Sequence, residues 1–449
     1  MEVRVVNWTK EQQLAINREG CNLIVSAGAG SGKTAVLSER VLRKLQEGVD
    51  IRNILILTFT NEAAGEMKER IRKKIKQANL NEQLSFLDAA YITTFDAYAF
   101  SLVKKYHYLF NLDANLSIID SSVINLEKRR ILDDIVMNLY NTKDPCYLKL
   151  VRDFTSRDDA SIKDAILNIS NTLDLRYDKF DYLKHYVKDF YSDEYIDEIF
   201  NEYFLYLKNL TLLIEEDYYA LEGYLNDLQR EKCYDALSKI FNPRNYNDLY
   251  SHKVTLPQFR GLEEEATSLK EILKEHVKEL DELTIYSEEE LKSQLKSTKE
   301  YVEAIISIIL QLDEKIKKYK QEHNAFEFSD IAKMAIKLVK EHEDIKDELK
   351  NTYQEIMIDE YQDTNDLQEI FISQIENNNV YMVGDIKQSI YRFRNANPNI
   401  FREKYEHYKK HEGGEKIDLL ENFRSRREVL TNINEIFNLI MIPDLGGVD

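Results

Sequence analysis

Residues 27–34 read Ala27-Gly28-Ala29-Gly30-Ser31-Gly32-Lys33-Thr34. Only 13 of the 449 residues are glycine, and three of these 13 fall between positions 28 and 32. Soluble proteins contain ~7% glycine, so this local concentration indicates a backbone conformation that other residues rarely adopt. A short apolar segment at 22–25 is typical of a buried strand, and residues 33–46 carry apolar side chains at helical spacing. The pattern predicts a strand, a glycine loop and a helix.

This loop predicts a site for a polyphosphate. Its glycines let successive backbone N–H groups point inward around phosphate oxygens, and the N-terminus of the next helix adds favourable partial charge. Lys33 would neutralise the β- and γ-phosphate oxygens, and the hydroxyl of Thr34 would hold Mg²⁺. The usual P-loop begins with glycine, and Ala27 stands there instead. A glycine-rich turn with an incidental lysine is the alternative, but the strand–loop–helix context favours ATP binding by residues 27–34.

A phosphate loop also needs acidic residues to hold the metal, and the pair Asp359-Glu360 supplies them. The pair follows the apolar segment 355–358, and ligands of parallel sheets bind at the carboxyl ends of strands. Asp359 would join the Mg²⁺ shell, and Glu360 would orient and deprotonate the attacking water. Adjacent carboxylates at a surface turn are common, so the pair indicates a metal site only in combination with the glycine loop.

Strand-like and helix-like segments alternate around these two motifs. The strand candidates are residues 54–57, 90–94, 355–358 and 380–383, and the intervening helix candidates are 62–76 and 367–375. Such alternation predicts an α/β domain built around a parallel sheet.

The middle of the chain has a different amino-acid composition. Between 111 and 325 glycine nearly vanishes and charged amphipathic stretches dominate, with one clear break near Thr284 in the stretch 262–320. This composition and spacing predict an all-helical insertion with an acidic surface. A strand-like segment at 417–420 and a helix to about 440 then predict a new, truncated domain. The predicted divisions are 1–110 (N-terminal segment of the first motor domain), 111–325 (helical insertion), 326–412 (C-terminal segment of the first motor domain) and 413–449 (start of a second motor domain).

Composition excludes several classes of protein. No apolar run reaches the ~18 residues of a membrane helix, and the N-terminus lacks a basic and apolar secretory signal. Cys21, Cys146 and Cys233 lie far apart, which excludes a disulfide framework and predicts a cytoplasmic protein. The net charge of −19 argues against coating nucleic acid by bulk electrostatics. However, residues 381–427 hold 11 Lys and Arg against 7 Asp and Glu, so the negative charge lies mainly in the central part of the chain.

The segments together resemble the superfamily 1 DNA helicases of the UvrD/Rep type, whose motor domains are RecA-like. The matching segments are Trp8 to Gln12, Thr58 to Ala64, Asp359 to Asp363, Val383 to Arg394 and Asn422 to Ser425. The resemblance implies an ATP-dependent, 3′-to-5′ motor on single-stranded DNA. It implies that Gln12 reads adenine, that Gln388 senses the γ-phosphate and that Arg424 acts as an arginine finger.

The same resemblance implies the DNA contacts. Phe59, Thr60 and Asn61 lie in a segment that contacts single-stranded DNA in this family, and Tyr391 and Phe393 offer rings on which bases stack. Residues 93–98 depart from the family pattern, because Asp96 stands where a histidine is usual. Thr94 can still donate to a backbone oxygen of DNA, whereas an acid at position 96 would repel phosphate, so Asp96 is not predicted as a contact.

Within the family, the chain most resembles the AddA subunit of AddAB helicase–nucleases, which are related to RecB. Three features favour this: Lys387 before Gln388, the long helical insertion, and the terminal segment Gly446 to Asp449. The resemblance implies double-strand break repair and recombination, single- and double-stranded DNA as partners, and an AddB-like nuclease partner. Because the family's fifth and sixth motifs do not occur up to Asp449, we expect this chain alone to bind nucleotide weakly and hydrolyse it poorly. Three alternatives stay open: a repair helicase without nuclease, a DNA- or partner-binding module without turnover, and a nucleotide-regulated P-loop protein that binds no DNA.

Overall fold

A computed structural model describes residues 7–259 and 262–441. The prediction made from Gly446 to Asp449 lies outside the described residues. The chain divides into two compact units. The first consists of the described residues within 1–129, 169–177 and 315–449, and the second of those within 130–168 and 178–314.

The strands are short and the helices numerous. The strands are β1 Leu23–Ala27, β2 Ile54–Thr58, β3 Ile92–Thr94, β4 Ser117–Ile118, β5 Ala325–Phe326, β6 Glu355–Ile358, β7 Val380–Gly384 and β8 Glu415–Leu419. The helices are α1 Lys10–Asn17, α2 Lys33–Gln46, α3 Asn61–Gln77, α4 Asn81–Phe86, α5 Phe95–Lys105, α6 Ser121–Thr142, α7 Pro145–Phe154, α8 Ala160–Leu173, α9 Lys179–Phe190, α10 Asp193–Glu222, α11 Asp227–Leu237, α12 Tyr246–Tyr250, α13 Glu264–Leu283, α14 Glu288–Ser297, α15 Lys299–His323, α16 Phe328–Glu341, α17 Glu343–Thr352, α18 Asp366–Ile375, α19 Pro398–Lys409 and α20 Arg427–Ile440.

Six strands form one parallel sheet in the first unit, in the order β3-β2-β6-β7-β1-β8. Because all six run in the same direction, their carboxyl ends lie at one edge, where ligands of parallel sheets bind. The glycine loop follows β1 there, the acidic pair follows β6, and segments 385–394 and 420–426 follow β7 and β8. The predicted α/β fold around a parallel sheet is confirmed.

Helices cover both faces of this sheet. In β1, Leu23 and Val25 join one buried apolar cluster with residues of α2 and α3, and Ile24 joins a second cluster with residues of α5, α16 and α18. Successive side chains of a strand point to opposite faces, and a sheet covered on both faces therefore needs continuous apolar strands. This requirement explains why the strands can be identified as short apolar runs.

The structure corrects the predicted position of the last strand. The sequence pattern places residues 415–419 in a separate second domain beginning at 413, but β8 pairs in parallel with β1, from Leu23 opposite Glu415 to Ala27 opposite Leu419. Strand β8 therefore completes the first sheet. Where a second motor domain begins after this strand stays a prediction, as do the other predicted domain boundaries.

The second unit is helical, and its core joins α10, α11 and α13 through buried Leu207, Ile214, Leu237 and Leu273. Two details differ from the prediction of an all-helical segment at 111–325. Strands β4 and β5 at its ends pair in parallel, and the stretch 262–320 has a second break at Thr298, between α14 and α15. None of the helices in the described ranges is long and apolar enough to cross a membrane.

A buried ion pair links four elements of the first unit. Arg40 of α2 donates from Nε to Oε1 of Glu355 in β6 at 2.7 Å, and both side chains are almost completely buried. The same guanidinium donates to the carbonyls of Ala15 and Ile16 at the end of α1, at 3.0 and 3.2 Å. It also lies 4.5 Å from the ring centroid of Tyr381 in β7. The pair therefore fixes α1 and α2 against two central strands.

We expect Arg40→Met to lower the free energy of unfolding of the first unit by about 3–5 kcal/mol, because it leaves the Glu355 carboxylate buried without its cation. The double variant Arg40→Met/Glu355→Met removes both charges and should recover most of that loss. Urea titration followed by the emission of Trp8, the one tryptophan of the chain, reports on this unit. A double variant as unstable as the single one would contradict the expectation.

Candidate nucleotide site and nucleic-acid interface

The glycine loop turns sharply between β1 and α2. Gly30 has a φ of 76° and Gly32 a φ of 90°, a left-handed conformation that only glycine adopts without strain. Gly32 is also the N-cap of α2, so Lys33 and Thr34 open the helix. The hydroxyl of Ser31 is buried and, among the described residues, has no hydrogen-bond partner. Because a buried hydroxyl normally has a partner, the loop is shaped for a ligand that carries hydrogen-bonding oxygens.

Lys33 and Glu360 form an ion pair across the carboxyl edge of the sheet. The Lys33 Nζ lies 2.9 Å from Oε2 of Glu360, and the lysine side chain is only 10% exposed. Gln362 donates to the same carboxylate oxygen at 2.8 Å. Glu360 has a φ of 53°, which is uncommon for a residue other than glycine and occurs at functional sites. The glycine loop and the acidic pair, in which Lys33 and Glu360 lie 327 positions apart, therefore meet in space.

Two acids at this edge, Asp359 and Asp363, have raised pKa values. Burial, and secondarily the neighbouring Glu360 charge, raises the pKa of Asp359 to about 6. The same two causes raise the pKa of Asp363 to about 6. A nearby divalent cation would stabilise the ionised carboxylates, because opposite charge favours the charged form. The Asp359 carboxylate and the Thr34 hydroxyl are oxygen donors of the kind that Mg²⁺ prefers, so the donor set fits this ion.

Gln12 is positioned against the loop by its own helix cap. Its amide nitrogen donates to the carbonyl of Ser31 at 3.0 Å, and its amide oxygen accepts from the backbone N–H of Thr9 at 3.1 Å. The side chain is 5% exposed, and a Cβ added to Gly32 would lie 3.2 Å from its nitrogen. The structure therefore brings Gln12 to the loop, whereas adenine recognition by this residue stays a prediction.

The segment after β8 packs directly on the glycine loop. The Asn422 amide donates to the carbonyl of Ala29 at 2.5 Å, and the backbone N–H of Phe423 donates to the carbonyl of Gly30 at 2.8 Å. A Cβ added to Gly30 would lie 2.8 Å from Cβ of Arg424, so any side chain at position 30 would displace this segment. The backbone of Arg424 therefore lies beside the glycine loop.

Gln362 connects the segments after β6 and β7, and Gln388 is held by the residue that follows β7. Gln388 donates to Oδ2 of Asp385 at 2.6 Å, and the backbone N–H of Asp385 donates to the side-chain oxygen of Gln362 at 2.9 Å. Sequence reasoning assigned no role to Gln362, although this side chain also donates to Glu360. Its position inside the acidic motif was the available signal.

The predicted aromatic contacts form one cluster. The ring centroids of Phe59 and Tyr391 are 4.5 Å apart, and those of Tyr391 and Phe393 are 5.7 Å apart. Phe393 is 76% exposed. Exposed apolar side chains that lie together on a surface mark interaction sites. Arg394, which sequence reasoning did not single out, lies 5.6 Å from the Phe59 centroid and 5.7 Å from that of Tyr391. The cluster offers exposed faces and a cation on one surface.

The polar residues predicted to contact DNA are mainly helix caps. The Thr60 hydroxyl accepts from the backbone N–H of Ala63 at 3.1 Å at the start of α3, next to exposed Asn61. The Thr94 hydroxyl accepts from the backbone N–H of Ala97 at 3.3 Å at the start of α5. These bonds explain the threonines structurally, and their contact with DNA stays a prediction. Burial raises the pKa of Asp96 in the first turn of α5.

Comparison with known proteins agrees with this arrangement. A family model described as "UvrD/REP helicase N-terminal domain" matches residues 8–409, which include all of the motifs up to segment 385–394. Helicases of this family use ATP, so the family match supports ATP as the nucleotide that this site binds.

Curated relatives extend the similarity over nearly the whole chain. They are named as the A subunit of an ATP-dependent helicase/nuclease, and the relative from Clostridium novyi (strain NT) is 33% identical over 99% of this chain and 40% of its own length. The corresponding values are 32%, 98% and 39% in Clostridium perfringens (strain ATCC 13124) and 31%, 99% and 41% in Lactobacillus johnsonii. The chain thus spans about two fifths of the length of these relatives. On the match over residues 8–409, the chain belongs to the UvrD/REP helicase family.

Proposed function

We propose that this chain is the ATP-binding part of a motor that moves along single-stranded DNA. The observation that carries the proposal is the segment 385–394, which runs from the nucleotide site to the aromatic cluster. At one end Gln388 and Asp385 contact each other beside the acidic pair, and at the other the ring of Tyr391 packs against that of Phe59 in a tilted arrangement. Because Tyr391 follows Gln388 after only a short stretch of backbone, a change at the phosphate can reach the DNA-facing rings.

The nucleotide chemistry follows from the contacts of the loop. Lys33 leaves Glu360 to neutralise the β- and γ-phosphate oxygens, and Glu360, released from the lysine, orients and deprotonates the attacking water. Arg424, anchored beside Gly30, compensates the charge that develops in the transition state. Thr34 and Asp359 would hold Mg²⁺, which supplies charge neutralisation between the phosphates when bound.

The DNA-facing chemistry is independent of base sequence. Rings accept any base by stacking, which contributes about 1–3 kcal/mol per base, and Arg394 adds an electrostatic contribution beside Phe59 and Tyr391. A γ-phosphate oxygen competes with Asp385 for the amide of Gln388. Hydrolysis removes that competitor, so the segment 385–394 alternates between two arrangements.

The relatives' names support a proposal for the whole protein. We infer a component of an ATP-dependent helicase–nuclease with 3′-to-5′ polarity, which acts on single- and double-stranded DNA in double-strand break repair and recombination in the cytoplasm. Those names describe one subunit of an assembly and so support a partner, which we propose is an AddB-like nuclease subunit. The nuclease activity in those names is that of the relatives, of whose length this chain spans about two fifths.

Phe393→Ala should weaken binding of single-stranded oligothymidine by about 1–3 kcal/mol, which is the loss of one stacked base. Because the ring is 76% exposed, its removal should leave the unfolding midpoint nearly unchanged. Fluorescence anisotropy with labelled oligonucleotide measures the affinity. The matched control is Phe180→Ala, which removes a ring of similar exposure (65%) from α9 in the second unit. Equal effects of the two changes would refute a specific role for Phe393.

A further inference from the structure

Helix α1 is too short to hold its own position in the first unit. It spans eight residues, Lys10–Asn17, whereas isolated helices shorter than ~12–15 residues are marginal in water. Its last turn carries no basic residue that could bind the carbonyls left over at a helix C-terminus. Contacts from outside the helix must therefore decide where α1 lies, and with it the side chain of Gln12.

Two arginines of α2 supply such contacts. Arg40 donates from Nη1 to the carbonyls of Ala15 and Ile16, at 3.0 and 3.2 Å. Arg43 donates from Nη1 to Oδ1 of Asn17 at 2.6 Å and to the carbonyl of Ile16 at 3.4 Å. Hydrogen bonds from a charged donor are roughly twice as strong as neutral ones. We call Arg40 and Arg43 the arginine clamp, because together they hold the C-terminal end of α1.

The clamp is tied to the rest of the nucleotide site. Arg40 is almost completely buried, and its Nε donates to Glu355 of β6 at 2.7 Å. Strand β6 ends immediately before Asp359, and α2, which carries both arginines, begins at Lys33. One guanidinium thus connects α1 with the helix that opens at Lys33 and with the strand that leads to Asp359.

The amide of Gln12 has a single favourable orientation in this position. Its oxygen accepts from the backbone N–H of Thr9, and its nitrogen donates to the carbonyl of Ser31. Turning the amide over would place its NH₂ against the N–H and its oxygen against the carbonyl, so both bonds would be lost. A side-chain amide has two N–H donors and two lone pairs on its oxygen. Within the described residues, one donor and one lone pair of Gln12 are therefore left for a ligand.

These two groups match the edge of adenine and not that of guanine. Adenine presents a donor at N6 beside an acceptor at N7, whereas guanine presents acceptors at both O6 and N7. With guanine, the lone pair of the amide would face another acceptor. The match requires two well-aligned hydrogen bonds at once, and hydrogen bonds weaken steeply with misalignment. Selectivity for the base is therefore sensitive to small displacements of α1.

We propose that Arg40 and Arg43 are positioning residues that set the selectivity of the nucleotide site for adenine. The proposal rests on the proposed function, because it assumes that the glycine loop binds ATP. About one helical turn separates Gln12 from the carbonyls that Arg40 holds. Without the clamp, α1 shifts and the amide no longer meets the edge of the base. The loop amides and Lys33, which bind the phosphates, stay in place.

The test measures equilibrium binding of three ligands to this chain, each with Mg²⁺: a non-hydrolysable ATP analogue, the corresponding GTP analogue and inorganic triphosphate. Wild type should prefer the ATP analogue over the GTP analogue by about 5- to 150-fold, the range for a bidentate contact to a base edge. Arg40→Lys should remove most of this preference, because lysine keeps the charge beside Glu355 but lacks the fork of donors that reaches two carbonyls. Arg43→Met, at a partly exposed position, should reduce it less.

Affinity for inorganic triphosphate distinguishes positioning of the base from general damage, and it should be unchanged in both variants. The double variant Arg40→Met/Glu355→Met removes both buried charges, so it should fold even where the lysine variant does not, and it should lose the preference as well. The matched control is Lys74→Met, which removes the ion pair between α3 and Glu39 of α2 and leaves the contacts of α1 in place. Its preference should equal that of wild type.

The outcomes separate this inference from the proposed function. A wild-type preference in the double variant would overturn the inference, as would a loss of triphosphate affinity equal to the loss of affinity for the ATP analogue. Gln12→Ala removes the amide and keeps the clamp. If Gln12→Ala abolishes the preference while the clamp variants retain it, the clamp has no role in selectivity and the ATP site stands. If wild type binds none of the three ligands, the proposed function itself fails.

Discussion

Changing Glu360 to glutamine in the whole helicase subunit proposed above is expected to reduce DNA-stimulated ATP hydrolysis by about 10²–10⁴-fold, the usual contribution of a positioned general base, while it tightens nucleotide binding several-fold. Glutamine keeps the size of the side chain but cannot take the proton of the attacking water. It also removes the carboxylate that lies 2.9 Å from Lys33 before nucleotide arrives. The lysine is then free for phosphate, and a negative charge that repels the triphosphate is gone.

Lys33→Ala is the informative comparison, because it should lower binding and hydrolysis together. Lys44→Ala is the matched control, since Lys44 lies on the same helix, is similarly sheltered and pairs with Glu19. Equilibrium binding of a non-hydrolysable ATP analogue needs no turnover and can be measured with this chain. Weaker binding by Glu360→Gln, or hydrolysis within a factor of about two of wild type, would contradict the assigned roles.

Arg424→Ala should lower hydrolysis by about 10³–10⁵-fold, the range for arginine fingers, with little change in nucleotide affinity. The rate and the affinity should respond differently, because transition-state charge develops only during the reaction, whereas ground-state binding depends on the glycine loop and Lys33. Asn422 and the backbone of Phe423 hold the segment on the loop, so truncation of the Arg424 side chain should leave that contact intact.

Arg426→Ala provides the control for charge near the loop, because Arg426 follows two residues later as the N-cap of α20. Arg424→Lys should recover little activity, since a lysine lacks the planar fork of donors. Steady-state hydrolysis by the whole helicase subunit with saturating single-stranded DNA gives the rate, and analogue binding gives the affinity. A loss of affinity equal to the loss of rate would make Arg424 a binding residue instead.

Much of the first unit could be predicted because its signals are local. Apolar runs covered on both faces of a parallel sheet are easily recognised, and the predicted strand 355–358 agrees with β6 as observed. The helix at 33–46 agrees likewise with α2, because a glycine N-cap and a regular apolar stripe define it. The approach of Lys33 to the acidic pair followed from the rule that ligands bind at the carboxyl edge.

The remaining features depend on contacts between distant residues. The apolar run at 417–420 indicates a strand, but no local pattern tells which sheet it joins, and the prediction for β8 was therefore wrong. The Arg40 ion pair and the hydrogen bond that the backbone N–H of Asp385 donates to Gln362 likewise join separate elements.

A crystal structure of this chain with Mg²⁺ and a non-hydrolysable ATP analogue would test the nucleotide site most directly. We predict a triphosphate wrapped by the backbone of residues 28–33, with Lys33 on its terminal phosphates and its bond to Glu360 broken. Asp359 and Thr34 should share the metal, and Arg424 should face the γ-phosphate. An analogue bound elsewhere, with Lys33 still paired to Glu360, would contradict the mechanism proposed for this motor.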